Sequence, residues 1–426
     1  MSSLVIEGAM NLEGETLTVV IEGNRISEIL EGRVRGRDAD RTLKGDGLLV
    51  MPGLCNSHTH AAMTILRGVG EDKELHPWLE EDIWPLESRM RVEHIRAGMA
   101  LACVEMIGSG TTLFNDMYFM EGDVADVVAD SGLRAVLGEG FIDLGDRERM
   151  EDQIRGVERS IRGIESLGCS RVMPSISPHA VYTVSPDGFR WCAERSGELD
   201  IPLHVHLSET AGEVKQCRSA HGMSPAEVID GYGALSERTV AAHCVHMTDG
   251  DISLLRERNV SVCHVPVSNM KLSVGGQFRY PEFGRAGINI CLGTDGAASN
   301  NSLDMFQTGK MTGLLCRQGF GASSIRTADI LRMATLNGYR ALGVDGGRLE
   351  EGALADIILL DLKHPSMVPY HDMISNVIYS AGPSAVVHSV IDGEVVMENG
   401  RVRNGDRIVE MAVNLARDLM AGDGNE

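Results

Sequence analysis

Through the middle of the chain, short runs of β-branched and aliphatic residues alternate with longer amphipathic stretches, such as HIRAGMALACVEMIGSG at 94–110. The runs have the length of buried strands, and the stretches between them have the apolar spacing of helices that face a core. Eight strands alternating with helices predict an α/β fold, a closed parallel (β/α)8 TIM barrel over 51–345. The predicted strands lie near 50–58 and at 111–118, 134–143, 171–179, 201–209, 239–246, 260–266 and 288–295.

Both ends of the chain follow a different pattern, in which strand-like runs are separated by short turns, Glu22-Gly23-Asn24 near the start and Asp-Gly or Asn-Gly in the last stretch. Examples are TLTVVIEGNRISEIL at 16–30 and AVVHSVIDGEVVMENGRV at 385–402, where the turns are typical of hairpins. A helix-like segment, RIVEMAVNLARDLM, follows at 407–420. We expect 1–50 and 346–426 to form together a smaller composite β-sandwich domain beside the barrel.

Charge and composition exclude several classes of partner. The 426 residues carry a formal net charge of −22, and such a surface repels phosphate backbones and anionic membranes. Aromatic residues make up only 4%, which argues against a stacking platform for single-stranded nucleic acid. Nine scattered cysteines without a Cys-x-x-Cys motif are typical of reduced thiols. We therefore expect a cytoplasmic protein that binds a small molecule, and neither nucleic acid nor a membrane.

Polar side chains follow the predicted barrel strands where each strand ends. The carboxyl ends of the strands of such a barrel converge on one face, so residues far apart in sequence share one pocket there. We expect the following residues in that pocket: His58, His60, His179, His206, Glu209, His243 and Asp295.

Four of these residues form a candidate metal site. His58 and His60 are two positions apart on one strand, so both imidazoles point the same way. Together with His206 and Asp295 they offer three nitrogens and one oxygen, a donor set that suits Zn²⁺ and also allows Fe²⁺. A divalent metal lowers the pKa of water bound to it, Asp295 can accept the proton of that water, and His243 can orient the nucleophile.

Four motifs, PGLCNSHTH, HVHLSE, AAHCVH and LGTDGAASNNS, resemble those of the amidohydrolase superfamily, and the resemblance covers nearly the whole chain. Within it, the chain is most similar to methylthioadenosine/S-adenosylhomocysteine deaminases and archaeal 5′-deoxyadenosine deaminases. The resemblance implies one metal, since His179 and no lysine ends the fourth strand, and a homo-oligomer, often a tetramer. It assigns Glu209 the transfer of a proton to a ring nitrogen during attack on the amino-bearing carbon, which then loses ammonia.

The resemblance also implies a substrate site. Its motif of Trp-Leu followed by Pro-x-Glu maps onto Trp78-Leu79 and Pro85-Leu86-Glu87, which assigns the ribose hydroxyls to Glu87 and a pocket wall to Trp78. His179 is expected to donate to the purine.

The third strand departs from the pattern of deaminases that favour S-adenosylhomocysteine. Those enzymes have an arginine where this chain has Glu139, whose charge would repel the carboxylate of that substrate. We therefore expect 5′-deoxyadenosine to be favoured, with methylthioadenosine, adenosine and S-adenosylhomocysteine as further substrates. Arg147 and Arg149 remain candidates for a cationic contact.

Two alternatives remain open. The first is an amidohydrolase that acts on another amino-substituted or chlorinated heterocycle, such as guanine, a pterin or a triazine. Glu209 and Glu87 argue against it, because they suit protonation of a ring nitrogen and recognition of a ribose diol. The second is a catalytically inactive scaffold, which would have no need of the complete set of strand-end residues.

Overall fold

The computed structural model describes residues 2–421. The chain forms two sheets there, separated by helices. The strands are β1 (Ser3–Met10), β2 (Thr16–Glu22), β3 (Arg25–Glu31), β4 (Arg41–Lys44), β5 (Leu48–Pro52), β6 (Leu54–Thr59), β7 (Thr111–Tyr118), β8 (Arg134–Phe141), β9 (Val172–Pro178), β10 (Leu203–Leu207), β11 (Thr239–His243), β12 (Ser261–His264), β13 (Ile290–Leu292), β14 (Ile357–Asp361), β15 (Val386–Ile391), β16 (Glu394–Glu398) and β17 (Arg401–Val402).

Most of the α-helices follow the barrel strands. They are α1 (Leu75–Trp78), α2 (Trp84–Glu87), α3 (Val92–Gly108), α4 (Glu121–Ser131), α5 (Arg147–Ser166), α6 (Pro186–Leu199), α7 (Ala211–His221), α8 (Pro225–Gly231), α9 (Asp249–Glu257), α10 (Pro266–Lys271), α11 (Tyr280–Ala286), α12 (Met305–Phe320), α13 (Thr327–Met333), α14 (Leu336–Ala341), α15 (Met373–Tyr379) and α16 (Gly405–Ala421). A π-helical turn, Leu79–Ile83, joins α1 to α2, and short 3-10 turns lie at Ala61–Leu66, Pro365–Met367 and Pro383–Ala385.

Strands β6 to β13 form the barrel, each hydrogen-bonded in parallel to the next. The ring closes between β13 and β6, where the Asp295 amide donates to the His58 carbonyl oxygen over 3.0 Å and the Thr294 amide donates to Asn56 Oδ1 over 2.9 Å. The barrel strands are buried along nearly their whole length because helices cover their outer face and side chains fill the interior. The predicted parallel barrel is confirmed.

Strands from both ends of the chain form the second sheet, in the order β17-β16-β15-β14-β5-β1-β2-β3 with β4 beside β1. The antiparallel pair of β5 and β14 joins the two ends. The apolar run near 50–58 was expected to be one strand, and this is wrong: β5 belongs to the terminal sheet and β6 to the barrel. The chain turns at Gly53, where a Cβ atom would lie 2.1 Å from Thr112 Oγ1.

Salt bridges of a buried arginine connect the two sheets. Arg134, at the start of β8, pairs with Asp356 over 2.8 Å and with Asp392 over 2.6 Å, both beside terminal strands. The last helix, α16, packs on α3 of the barrel, where its Asp418 pairs with Arg91 over 3.0 Å. The domain boundaries at 50 and 346 stay a prediction. Within residues 2–421, no helix combines the length and the apolar character needed to cross a membrane.

Candidate active site

The polar residues at the strand ends meet on one face of the barrel, as expected. Several of them lie in turns whose backbone is left-handed: φ is 69° at His243, 67° at Asp295 and 49° at Ser208. Non-glycine residues adopt this conformation at an energetic cost, and such residues cluster at active sites. The backbone itself is therefore bent here to direct side chains inward.

The four residues expected to bind metal surround one point. Asp295 Oδ1 lies 3.3 Å from His58 Nε2 and 3.2 Å from His60 Nε2, and the Nε2 atoms of His60 and His206 are 3.3 Å apart. The ring centroids of His58 and His206 are 5.0 Å apart. His243 belongs to the same cluster, with its ring centroid 5.2 Å from that of His58. The structure thus brings together residues separated by up to 237 positions in the sequence.

The Nδ1 atoms of His60 and His206 are engaged in hydrogen bonds to the backbone. Nδ1 of His60 donates to the Met117 carbonyl oxygen over 2.6 Å, and Nδ1 of His206 donates to the His179 carbonyl oxygen over 3.0 Å. A hydrogen bond on one ring nitrogen fixes the tautomer and leaves the lone pair of the other nitrogen free. The Nε2 atoms of both rings therefore face the centre of the cluster.

The donor set fits a divalent cation. His58 Nε2 is buried and has no hydrogen-bond partner within the described part of the chain. A buried polar atom without a partner is unfavourable, and a cation at the centre of the cluster would supply the missing interaction. The donors fall into two overlapping sets of three, and within each set the ligand atoms lie within 4.8 Å of one another. One set is His58, His60 and His206, and the other is His58, His243 and Asp295.

Electrostatics agree with this fit. Burial lowers the pKa of His58 to about 4 and that of His206 well below its ordinary value, so both rings are neutral ligands. Burial raises the pKa of Asp295, but the neighbouring His58 and His60 outweigh it and hold that pKa well below its usual range. Burial lowers the pKa of His60, yet Asp295 outweighs it and raises the pKa to about 9. The ionised carboxylate therefore attracts a positive charge, which a cation can provide.

A cavity opens from this cluster at the mouth of the barrel. Its polar lining includes Glu87, His179 and Glu209, while Trp78 forms part of the apolar wall. No lysine or arginine within the described residues lines the cavity. Within the described residues, the cavity therefore offers carboxylates and imidazoles to a ligand, and neither an ammonium nor a guanidinium group.

Burial and a close polar neighbour define the environment of each of these three polar residues. Glu209 is buried, with Oε1 3.6 Å from His243 Nδ1, and burial raises its pKa. His179 Nδ1 bonds to Thr183 Oγ1 over 2.8 Å, and burial lowers its pKa to about 3, so the ring is neutral. Burial also raises the pKa of Glu87, which accepts a 2.6 Å hydrogen bond from the Tyr118 hydroxyl.

Glu139 does not reach the cavity, contrary to our expectation. Its carboxylate accepts hydrogen bonds from the amides of Met120 and Glu121, each 2.9 Å long, and from the Ser160 hydroxyl. Successive residues of a strand point to opposite faces, and Gly140 is the neighbour that lines the cavity. Glu139 therefore faces the helices and caps the start of α4.

Arg147 and Arg149 also lie outside the cavity lining, at the start of α5. The Arg147 side chain is 92% exposed and pairs with Glu151. Neither arginine offers the cationic contact that the sequence left open.

Sequence reasoning missed several residues that hold the site together. Ser268 Oγ donates to Asp295 Oδ2 over 2.5 Å, and His243 Nδ1 donates to Asn269 Oδ1 over 2.8 Å. His204 is likewise buried, with Nε2 2.8 Å from Nδ1 of His58. The position of His204, two residues before His206 on β10, was the available signal, because both must point inward.

Comparisons with known proteins place the chain in a family. A protein of Methanospirillum hungatei named 5'-deoxyadenosine deaminase is 46% identical over 385 residues, 90% of this chain and 86% of that protein. One of Archaeoglobus fulgidus named 5-methylthioadenosine/S-adenosylhomocysteine deaminase 1 is 42% identical over 94% of both chains. The crystal structure of a Xanthomonas campestris adenosine deaminase with bound zinc superposes with a TM-score of 0.91, at 31% identity over 99% of both chains. A sequence profile of the amidohydrolase family matches residues 49–396, and the chain therefore belongs to this family.

Proposed function

We propose that the protein deaminates adenosine-type nucleosides by hydrolysis, releasing ammonia and the inosine analogue. The observation that carries this proposal is the cavity in which Glu209, His243 and Asp295 face a ligand beside three converging imidazoles, with Glu87 on another wall. The names of the relatives from Methanospirillum hungatei and Archaeoglobus fulgidus support the same reaction class.

We propose His58, His60, His206 and Asp295 as the ligands of one divalent cation. The chemistry that such a cation supplies when bound is acidification of water, so that a nucleophile is available near neutral pH. Zinc suits the three nitrogens and one oxygen, and the zinc in the Xanthomonas campestris deaminase supports this choice. Iron(II) is the alternative that metal analysis of the purified protein would distinguish.

Three side chains move or direct protons in the proposed reaction. Asp295 accepts one proton from the attacking water, which His243 orients through Nε2, since Nδ1 is bound to Asn269. Glu209 gives its proton to N1 of the purine as the oxygen bonds to C6, and its raised pKa favours the protonated form that this step needs. Glu209 then takes the hydroxyl proton from C6 while Asp295 protonates the amino group, which leaves as ammonia. Both carboxyl groups are restored.

Two further residues are proposed to hold the substrate. The carboxylate of Glu87 can accept hydrogen bonds from both ribose hydroxyls, and the Tyr118 hydroxyl holds it in place over 2.6 Å. His179 has Nδ1 engaged with Thr183, which leaves Nε2 to face the purine. Trp78 closes the wall, with its indole nitrogen donating to the Val69 carbonyl oxygen.

We propose 5′-deoxyadenosine as the favoured substrate, ahead of methylthioadenosine and adenosine, with S-adenosylhomocysteine the poorest. The reason differs from the expected repulsion by Glu139. Burial of the carboxylate of S-adenosylhomocysteine needs a cationic partner, and the cavity lining within the described residues provides none. Apolar side chains such as Phe119 and Ile142 instead suit a small neutral 5′ group.

Ammonia release tests the reaction. Purified protein loaded with zinc is assayed with adenosine derivatives that differ at the 5′ position, and with guanine, a pterin and a triazine as controls. We expect the highest kcat/KM with 5′-deoxyadenosine, and a fall in kcat of about 10²–10⁴-fold for Glu209→Gln at unchanged metal content. Turnover of only the control heterocycles would refute the nucleoside assignment.

Location and assembly also belong to the proposal. Eight of the nine cysteines are buried free thiols and Cys169 is half-buried, which supports a reducing cytoplasm. The tetramer implied by resemblance stays a prediction, and light scattering of the purified protein would measure it.

A further inference from the structure

The turn that carries Glu209 is held from outside by a buried carboxylate. After β10 the chain enters a left-handed conformation at Ser208, with φ of 49°. The amide of Ser208 donates to Glu213 Oε1 over 2.8 Å, and the amide of Glu209 donates to Glu213 Oε2 over 2.7 Å. One carboxylate thus binds two consecutive amides, and Glu213 itself is only 3% exposed.

This arrangement differs from an ordinary helix cap. Thr210 begins α7 as its N-cap and accepts a hydrogen bond from the Glu213 amide over 3.0 Å, so that the sequence Thr-x-x-Glu suggests a capping box. In that box the glutamate would bind the amide of the capping threonine. Here the Glu213 side chain reaches past Thr210 to the two residues before it. The first turn of α7 therefore anchors the active-site turn as well as its own helix.

The carbonyl oxygens of the same turn are hydrogen-bonded to the segment that follows β11. The Ser208 carbonyl oxygen accepts from the amides of Val245 and His246, over 3.2 and 2.9 Å, and the Leu207 carbonyl oxygen accepts from the Cys244 amide over 2.9 Å. These bonds connect the turn to the segment that follows His243. Only Glu213 accepts from the amides of Ser208 and Glu209 among the described residues, so its loss would leave two buried donors unpaired.

We propose that Glu213 is a positioning residue, which fixes the backbone of Ser208 and Glu209 so that the Glu209 carboxyl group points into the cavity. Glu213 does not line the cavity and touches no substrate in this assignment. The inference rests on the proposed role of Glu209 in proton transfer. A displacement of a catalytic group by about 1 Å can cost about 100-fold in rate, so the effect of losing the anchor should appear in kcat.

The test is a double-mutant cycle of Glu209→Gln and Glu213→Gln in the zinc-loaded protein. Glutamine at 213 keeps one acceptor oxygen and presents an NH₂ group to the second amide. We expect Glu213→Gln alone to lower kcat by about 10- to 100-fold with KM changed less than about threefold. In the Glu209→Gln background the same substitution should change kcat by less than about twofold, because the group it positions is gone.

Asp251 offers a matched control. It is a buried carboxylate at the start of α9 that accepts from the Thr248 amide over 2.8 Å and from the hydroxyls of Thr248 and Ser224. Asp251→Asn removes an acceptor from a similar helix start outside the cavity lining. We expect its thermal unfolding temperature to fall and its kcat per folded, metal-loaded site to stay within about twofold of wild type.

Hydrogen exchange and metal analysis separate the possible outcomes. The amides of Ser208 and Glu209 should exchange faster in Glu213→Gln, while the metal content per chain stays equal to that of wild type. If Glu209→Gln keeps its full kcat, the proposed role of Glu209 fails. If Glu209→Gln is impaired but Glu213→Gln is as active as wild type, or lowers kcat by the same factor in both backgrounds, Glu213 does not position Glu209.

Discussion

Substitution of Glu139 should change stability and leave substrate preference unchanged. The sequence placed this residue against the 5′ group of the substrate, whereas the structure places its carboxylate on the amides of Met120 and Glu121, at the start of α4. Met120 precedes the helix with φ of 58° and offers no capping side chain of its own. Glu139 therefore supplies the cap that the local sequence of α4 lacks.

The cost of removing this cap follows from its contacts. Loss of a helix cap costs about 0.5–2 kcal/mol, and a buried donor left unpaired costs about 1–3 kcal/mol. The Met120 amide can be resolvated because Met120 is 37% exposed, while Glu121 is fully buried. We expect Glu139→Ala to lower the free energy of unfolding by about 2–4 kcal/mol. Urea unfolding followed by circular dichroism measures this change.

Substrate preference is measured as the ratio of kcat/KM for 5′-deoxyadenosine to that for S-adenosylhomocysteine. Glu139→Gln removes the charge with little change in shape, and we expect the ratio to stay within about twofold of wild type. A carboxylate that repelled the ligand would behave differently, because two like charges about 4 Å apart near a protein surface repel each other by about 4 kcal/mol, so removing one would change the ratio more than about tenfold.

Gly140 is the matched control, since its position faces the cavity. A Cβ atom there would meet its nearest neighbour, the Tyr118 carbonyl oxygen, at 3.5 Å, so alanine fits without a clash. We expect Gly140→Val, whose added methyl groups extend further into the cavity, to lower kcat/KM for substrates with a bulky 5′ group. The reasoning would be refuted if Glu139→Gln raised turnover of S-adenosylhomocysteine tenfold and Gly140→Val changed no kinetic constant.

Three further outcomes are expected. Tyr118→Phe removes the hydrogen bond to the buried Glu87 carboxylate, so KM should rise by about three- to tenfold with kcat less affected, as steady-state kinetics would measure. Ser268→Ala removes the donor to Asp295 Oδ2, so kcat should fall by about tenfold at equal metal content. Burial lowers the pKa of His264 to about 3 from 6.5. In the unfolded chain this imidazole takes up a proton below pH 6.5, whereas in the folded protein it stays neutral, so it lowers the free energy of unfolding by about 2 kcal/mol at pH 5. Urea unfolding of His264→Phe should therefore show a smaller loss of stability between pH 7 and pH 5 than wild type.

The barrel could be predicted because its strands and helices differ in period and length along the sequence. The boundary between β5 and β6 could not, because Leu48–Pro52 and Leu54–Thr59 are both extended and largely buried and only one residue separates them. Both strands are buried, so neither shows the alternation of polar and apolar positions that would indicate which sheet it joins. The close approach of Gly53 to Thr112, which marks the change of sheet, is a contact across 59 positions.

The orientation of Glu139 was missed for a related reason. In β8 every residue but Glu139 is buried, so the strand lacks the alternation that would tell its inner face from its outer face. His58 and His60 were easier, because two imidazoles two positions apart must share a face and have chemistry that suits the barrel mouth. A single carboxylate beside two glycines carries no such constraint, and resemblance alone assigned it to the cavity.

The residues that fix the site share one position in the fold, the first turn of a helix that follows a barrel strand, since α7 follows β10 and α10 follows β12. Glu213 in α7 binds the turn of Glu209, while Ser268 and Asn269 in α10 bind Asp295 and His243. His243 and Asp295 have left-handed backbones, as does Ser208 beside Glu209, so strand geometry alone does not determine where the three side chains point. Because each anchor is an ordinary polar residue near a helix start, sequence patterns interpret it as a cap. Strand ends therefore bring the proposed reactive groups together, and the first turns of α7 and α10 set their orientation, which is why substitutions in these two helices should alter kcat at unchanged metal content.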